Sequence, residues 1–183
     1  MILALDLSLR QSGVAIIDND NIIFSGDIKT PVNMRGAERL DYILKKIIQY
    51  LADYKIEFVT IEDYAYSMHG SVPDLGELGG VVRYYLYKTN IPYLIISTTS
   101  LKKFVIGKGN APKAAMMPSI HRKYKIEAKS SDEADAIGLA KIAYAVSLMK
   151  QSALSADKYL DYENAVLSNI WDSKLKESTY KLQ

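Results

Sequence analysis

Three places in the 183-residue chain put carboxylates where an ionised side chain is expensive. Asp6 lies inside the apolar run Ile2-Leu3-Ala4-Leu5-Asp6-Leu7, and a buried carboxylate needs a cation or hydrogen-bond donors to meet it. Strand alternation puts Asp6 on one face with Ala4 and Ser8, opposite Leu3, Leu5 and Leu7, so its small neighbours leave room for a ligand. Glu62 closes a second run, Phe58-Val59-Thr60-Ile61, at the carboxyl end of a strand, where open α/β sheets place their binding sites. Asp63 follows at once, but alternation lets only one of the two share the face of Asp6, and Glu62 is the choice. In the third place, Ser130 and Glu133 have the spacing of a capping box. A helix starting there sets Asp132 and Asp135 at i and i+3, on one face. Each place also has a structural reading: backbone amides can satisfy a strand-end Asp, an acidic pair can open a loop, and first-turn acids complement the helix dipole. The dipole does not explain why Asp135 leads straight into Ala136, Ile137, Leu139 and Ala140, which makes that face a buried one.

Two carboxylates from strands and two from a helix make an all-oxygen donor set. Zero cysteines exclude thiolate chemistry, thiolate zinc sites and iron–sulfur ligation, and two histidines leave little nitrogen to compete. Hard oxygen ligands suit Mg²⁺ or Mn²⁺, which keep several waters and engage phosphate oxygens. Two ions held roughly 3.5–4 Å apart activate a water and stabilise the leaving oxygen of an in-line displacement. Such chemistry needs no small-molecule cofactor.

The charge is unevenly spread. Between Leu101 and Lys129 stand Lys102, Lys103, Lys108, Lys113, Arg122, Lys123, Lys125 and Lys129 against Glu127 alone, a net +7, while the rest of the chain is −5. A segregated basic segment suits a polyanion; a solvated lysine-rich surface is the equal alternative on charge alone.

The elements that must hold these residues follow from periodicity. Ile2–Ser8, Gly13–Asp18 and Ile22–Lys29 read as strands, the last two joined by a turn at Asn19-Asp20-Asn21. From Asn33 to Tyr54 the positions Leu40, Ile43, Leu44, Ile47, Ile48 and Leu51 recur at helical spacing. The strand ending at Glu62 then completes a β-α-β crossover. A helix over roughly Leu75 to Lys88 and a strand from Ile91 to Ser97 follow, and the remainder is helical in pieces, with Pro112 and Pro118 marking starts or breaks. This order predicts a mixed sheet with helices on its faces, an α/β architecture. The length fits one domain, with 1–150 as the body and 151–183 as a helical extension of it. No apolar run approaches the roughly 20 residues of a membrane-spanning helix, and the N-terminus lacks a basic segment and cleavage site, so a cytoplasmic location is expected.

The motifs resemble the RuvC family of Holliday-junction resolvases, and in particular its phage-type members. The pieces stand in order: Ile2 to Ser8 with Ser12-Gly13-Val14-Ala15, Ile61-Glu62, Leu75-Gly76-Glu77-Leu78-Gly79-Gly80-Val81, Gly107-Lys108-Gly109-Asn110-Ala111-Pro112-Lys113, and Asp132-Glu133-Ala134-Asp135-Ala136. The resemblance implies a ribonuclease H-like fold with a five-stranded mixed sheet, and makes Asp6, Glu62, Asp132 and Asp135 the metal-binding catalytic acids. It sets Lys113 at the scissile phosphate and makes Lys108 a backbone contact. Lys102, Lys103, Arg122 and Lys123 complete the expected DNA-binding surface. It assigns the helix carrying Gly76 and Gly80 to a homodimer interface; tight packing of that helix on its own sheet is the alternative. Ala65 stands where the family has an aromatic wedge, leaving Tyr64 or Tyr66 to stack on an opened base.

The implied activity is Mg²⁺-dependent, structure-selective hydrolysis of DNA at Holliday junctions and other branched DNA. For a phage-encoded enzyme the compartment is the host cytoplasm. The alternatives are a ribonuclease H-like nuclease on RNA/DNA hybrids or structured RNA, and a non-catalytic branched-DNA-binding module.

Overall fold

The computed structural model describes residues 1–63, 72–150 and 158–172. Its centre is a five-stranded sheet of β1 (Ile2–Asp6), β2 (Gln11–Asp18), β3 (Asn21–Lys29), β4 (Phe58–Asp63) and β5 (Tyr93–Ser97), in the order β3-β2-β1-β4-β5. The β1-β2-β3 meander is antiparallel, while β4 and β5 run parallel to β1. The helices are α1 (Gly36–Asp53), α2 (Val72–Lys88), α3 (Thr98–Ile106), α4 (Met116–Tyr124), α5 (Ser131–Lys150) and α6 (Asp161–Ile170), with a 3₁₀ turn at Lys113–Ala115.

Strand alternation sorts the core onto two faces. Leu3, Leu5, Val59 and Ile61 pack with Ile43 and Ile47 of α1 and Leu78, Val82 and Leu86 of α2. Ala4, Ala15 and Ile17 face α5, over which α3, α4 and α6 lie. α5 is therefore buried on most of its circumference, which small residues permit: a Cβ on Gly138 would stand 2.7 Å from Leu101 Cδ1 and 2.9 Å from Val105 Cγ2. Val166, Leu167 and Ile170 of α6 join the same core, so the C-terminal helix packs on the body.

Several boundaries differ from the sequence expectation. β1 stops at Asp6, because the buried Ser12 hydroxyl accepts from the Ser8 N–H at 2.9 Å and donates to the Ser8 carbonyl at 2.7 Å, closing a turn. The first helix begins at Gly36, three residues late, since Gly36 has φ +48°, a left-handed conformation that glycine tolerates. On α2, nothing among the described residues lies within 4 Å of where Cβ atoms on Gly76 and Gly80 would stand, so these glycines do not pack on their own sheet.

Candidate active site

Asp6 and Glu62 end up side by side through strand register. Leu5 of β1 pairs with Ile61 of β4, and two parallel strands present the next residue of each to the α5 face. On β2, Gly13 pairs with Asp6 and makes the third approach possible. A Cβ there would lie 1.9 Å from the carbonyl oxygen of Asp132, so the amino end of α5 sits directly against β2. Asp135, one turn into α5, thus joins the strand pair. Carboxylate oxygens of Asp6, Glu62 and Asp135 all lie within 4.8 Å of one another.

The amino end of α5 is fixed by a polar clamp. The Glu133 N–H bonds to Ser130 Oγ at 3.0 Å, as in a capping box. The buried Glu133 carboxylate reaches one residue further than the motif requires, to the Lys129 N–H at 2.7 Å, and accepts from Ser25 of β3 at 2.7 Å. Ser130 Oγ donates to Asp27 of β3 at 2.8 Å.

Burial and neighbouring charges oppose ionisation across the cluster. Burial raises the pKa of Glu62 strongly and the charge of Asp6 adds to it; burial and the charge of Asp132 raise that of Asp6. Asp135 is pushed up to about 7, by burial first and the charge of Asp6 second. A divalent ion reverses these penalties, and the donors, all carboxylate oxygens, fit Mg²⁺ or Mn²⁺.

Lys113 supplies a positive charge from the 3₁₀ turn, with Nζ 2.7 Å from Asp132 and 4.0 Å from Asp135. Burial disfavours its ammonium, but the bond to Asp132 and the surrounding carboxylates outweigh that, and its pKa is raised. Asp132 is thus engaged with Lys113 and stands outside the group of three oxygens.

Three positions of the glycine-rich stretch ahead of Lys113 have a local reason. Gly107 caps α3 at φ +92°, with its N–H on the Lys103 carbonyl at 2.9 Å. Gly109 approaches Thr99 so closely that a Cβ would stand 2.6 Å from the Thr99 methyl, and Ala111 is buried.

Lys102 and Lys113 line a cleft of about 370 Å³ with the three carboxylates. Lys103, Lys108 and Arg122 are exposed. Lys123 corrects the expected DNA surface. Its ammonium pairs with the buried Glu163 of α6, donates to the Phe104 carbonyl at 2.9 Å and lies 4.6 Å from the Phe104 ring centre. It holds α6 to the body, its ammonium taken up by these partners although the side chain is partly exposed. Tyr64 and Tyr66 lie outside the described residues.

Two further side chains escaped the sequence reading. Thr98 Oγ1, at the start of α3, donates to Glu62 Oε1 at 2.6 Å. Arg83 of α2 lines the cleft and donates to the Gly79 carbonyl at 2.9 Å. The pairing of Asp63 with Ser97 brings Thr98 to Glu62, a relation no local pattern encodes.

Comparisons with known proteins place the chain among relatives of one family. A family model described as crossover junction endodeoxyribonuclease RuvC matches residues 2–143. Crossover junction endodeoxyribonuclease RuvC of Janthinobacterium sp. is 30% identical over 161 residues, covering 85% of this chain and 88% of that protein. The protein of the same description from Hydrogenovibrio crunogenus is 28% identical over 142 residues, covering 74% and 82%. Among solved structures, Thermus thermophilus RuvC in complex with Holliday junction substrate shares the fold with a TM-score of 0.68 at 16% identity, over 83% of this chain and 96% of that one. The yeast mitochondrial Holliday junction resolvase Ydc2 shares it with a TM-score of 0.55 at 11% identity, over 96% and 82%. With a ribonuclease H-like sheet and its acidic cluster in place, the chain belongs to the RuvC family of crossover junction endodeoxyribonucleases.

Proposed function

We propose that the protein is a divalent-metal-dependent, structure-selective endodeoxyribonuclease that resolves four-way DNA junctions, and acts on related branched DNA, by hydrolysing phosphodiesters at symmetric positions. The observation that carries this reading is the convergence of Asp6, Glu62 and Asp135 at one end of the sheet in a chain of this family. Asp6, Glu62 and Asp135 would hold one Mg²⁺ or Mn²⁺, and Asp132 with Asp135 a second. Bound there, the metal supplies Lewis acidity to the phosphodiester and a water nucleophile at neutral pH. The chain's own residues do the rest. Thr98 fixes the Glu62 carboxylate by its hydrogen bond. Lys113 offers a positive charge to the phosphate as negative charge develops on it, and Lys102 and Arg83 orient the strand in the cleft.

The outer face of α2 supports a homodimer. Gly76, Gly80, Tyr84 and Tyr87 fall on one stripe opposite Leu78, Val82 and Leu86, and Tyr84 and Tyr87 are 65% and 67% exposed. Two active sites related by a twofold axis match the near-twofold symmetry of a four-way junction.

Incubation with a synthetic immobile four-way junction in Mg²⁺ and in Ca²⁺, beside Asp6→Asn and an RNA/DNA hybrid of equal length, tests the function. Paired symmetric nicks in Mg²⁺ that are lost in Asp6→Asn while junction binding persists are the expected result. Binding without nicks, or preferential cleavage of the hybrid, overturns it.

A further inference from the structure

Three arginines converge on one short loop beyond the β2–β3 side of the sheet. Arg10, in the turn between β1 and β2, donates to the Val32 carbonyl at 3.2 Å. Arg35 donates to the same carbonyl and, at 2.7 Å, to that of Met34. Arg39 places Nε and Nη2 on the Met34 carbonyl at 3.1 and 2.7 Å. Arg39 is buried, whereas Arg10 and Arg35 are exposed. Lys29 is exposed beside them, paired with Gln11 in the β2–β3 ladder next to the bond from the Thr30 N–H to the Arg10 carbonyl. No ion pair joins any of these four cations to a carboxylate among the described residues. Asp27 is taken by Gln11 and Ser130, and Glu38 is exposed in the first turn of α1.

This arrangement is unfavourable in isolation. Like charges gather on two neutral carbonyls, and Arg35 and Arg39 stand at the amino end of α1, where the helix dipole disfavours cations. An anion relieves both penalties. Exposed guanidiniums held in place by carbonyls and a buried arginine present planar N–H edges suited to phosphate.

In the sheet order the patch lies on the β2–β3 side of β1, whereas α3 and its lysines follow β5 at the opposite edge. Two strand spacings of about 4.8 Å and about three residues of rise put the patch roughly 15 Å from Asp6. That is too far for the phosphate being cut and within reach of an adjoining duplex arm.

We propose that Arg10, Lys29 and Arg35 form a second DNA-phosphate site, gripping an arm of branched DNA other than the one held by Lys102, Lys103 and Lys108. The proposal rests on the junction-resolving reading above. The variant R10Q/R35Q removes two charges but keeps N–H donors for the loop carbonyls. K45A/K46A removes the same charge from an exposed part of α1 and serves as control. Binding to a four-way junction and to a linear duplex is measured across a salt series in Ca²⁺, with thermal denaturation of each variant. We expect R10Q/R35Q to weaken junction binding about tenfold and to flatten the slope of log affinity against log salt by about 2. Linear duplex binding changes less, and the control follows the wild type. An unaltered slope, or equal loss on linear duplex, overturns the patch. Absence of nicking by the wild type in Mg²⁺ would overturn the resolvase reading, while the slope difference would still support the patch.

Discussion

At Glu62 burial first, then the adjacent Asp6 and the charge of Asp135, oppose ionisation, and the hydrogen bond from Thr98 favours it. Asp6 and Asp135 are raised in the same way, so the folded protein in EDTA keeps protons that the unfolded chain releases. Their contribution to stability is complete below the ordinary carboxylate range and is lost as pH rises through the folded values, about 7 for Asp135. The melting temperature in EDTA is therefore expected to fall between about pH 5 and pH 8. Added Mg²⁺ raises it most at the upper end, because a ligand of the folded state stabilises by mass action. Asp6→Asn flattens the pH slope, since it removes the charge that opposes ionisation of the other two. Calorimetry across this range checks all three. The clustering of these carboxylates was legible in the chain because alternation and i, i+3 spacing are local rules. The partner of Asp132 was not, since Lys113 reaches it from a turn nineteen residues away.

Between elements, the closest fit is that of α5 on β2. Gly13→Ala would thrust a methyl carbon to 1.9 Å from the Asp132 carbonyl, against backbone at an anchored helix end. Overpacking of this kind costs about 1–3 kcal/mol, and here it also pushes Asp135 from the cluster. Denaturation and Mg²⁺ titration should therefore both report the change. Gly138→Ala meets only side-chain ends, which can shift, and is expected to be milder in the same assays. At the other end of α4, Lys123→Ala strands the buried Glu163 without its partner. Losing one member of such a pair costs about 3–5 kcal/mol when fully buried, and somewhat less here because Lys123 is 25% exposed. Chemical denaturation should show that loss, while the salt dependence of DNA binding stays that of the wild type. The charge count placed Lys123 on the DNA surface because its partner lies forty residues downstream on α6. The five strands and the helices between them, in contrast, followed from apolar periodicity, with ends that moved by a few residues, among them those set by Ser12 and Gly36.

Over the whole molecule, α2 turns a glycine–tyrosine stripe outward. If that stripe joins two copies, Tyr84→Glu with Tyr87→Glu yields a monomer in sedimentation velocity. Such a monomer nicks junctions singly, without paired cuts in opposing strands; an unchanged sedimentation coefficient refutes the interface. The basic segment was visible as a run of lysines, but the arginine cluster was not, because it forms around carbonyl groups. The separation of the ligands along the chain has a consequence for synthesis. Asp6 and Glu62 leave the ribosome early, and the α3 lysines follow, yet Asp135 emerges only with α5. A nascent or truncated chain ending before Ser131 thus carries the α3 lysines, Asp6 and Glu62 without Asp132 and Asp135. Since domains fold as units during translation, the acidic cluster is complete only once α5 has docked, and a chain truncated before Ser131 is expected to show no nicking in the junction assay.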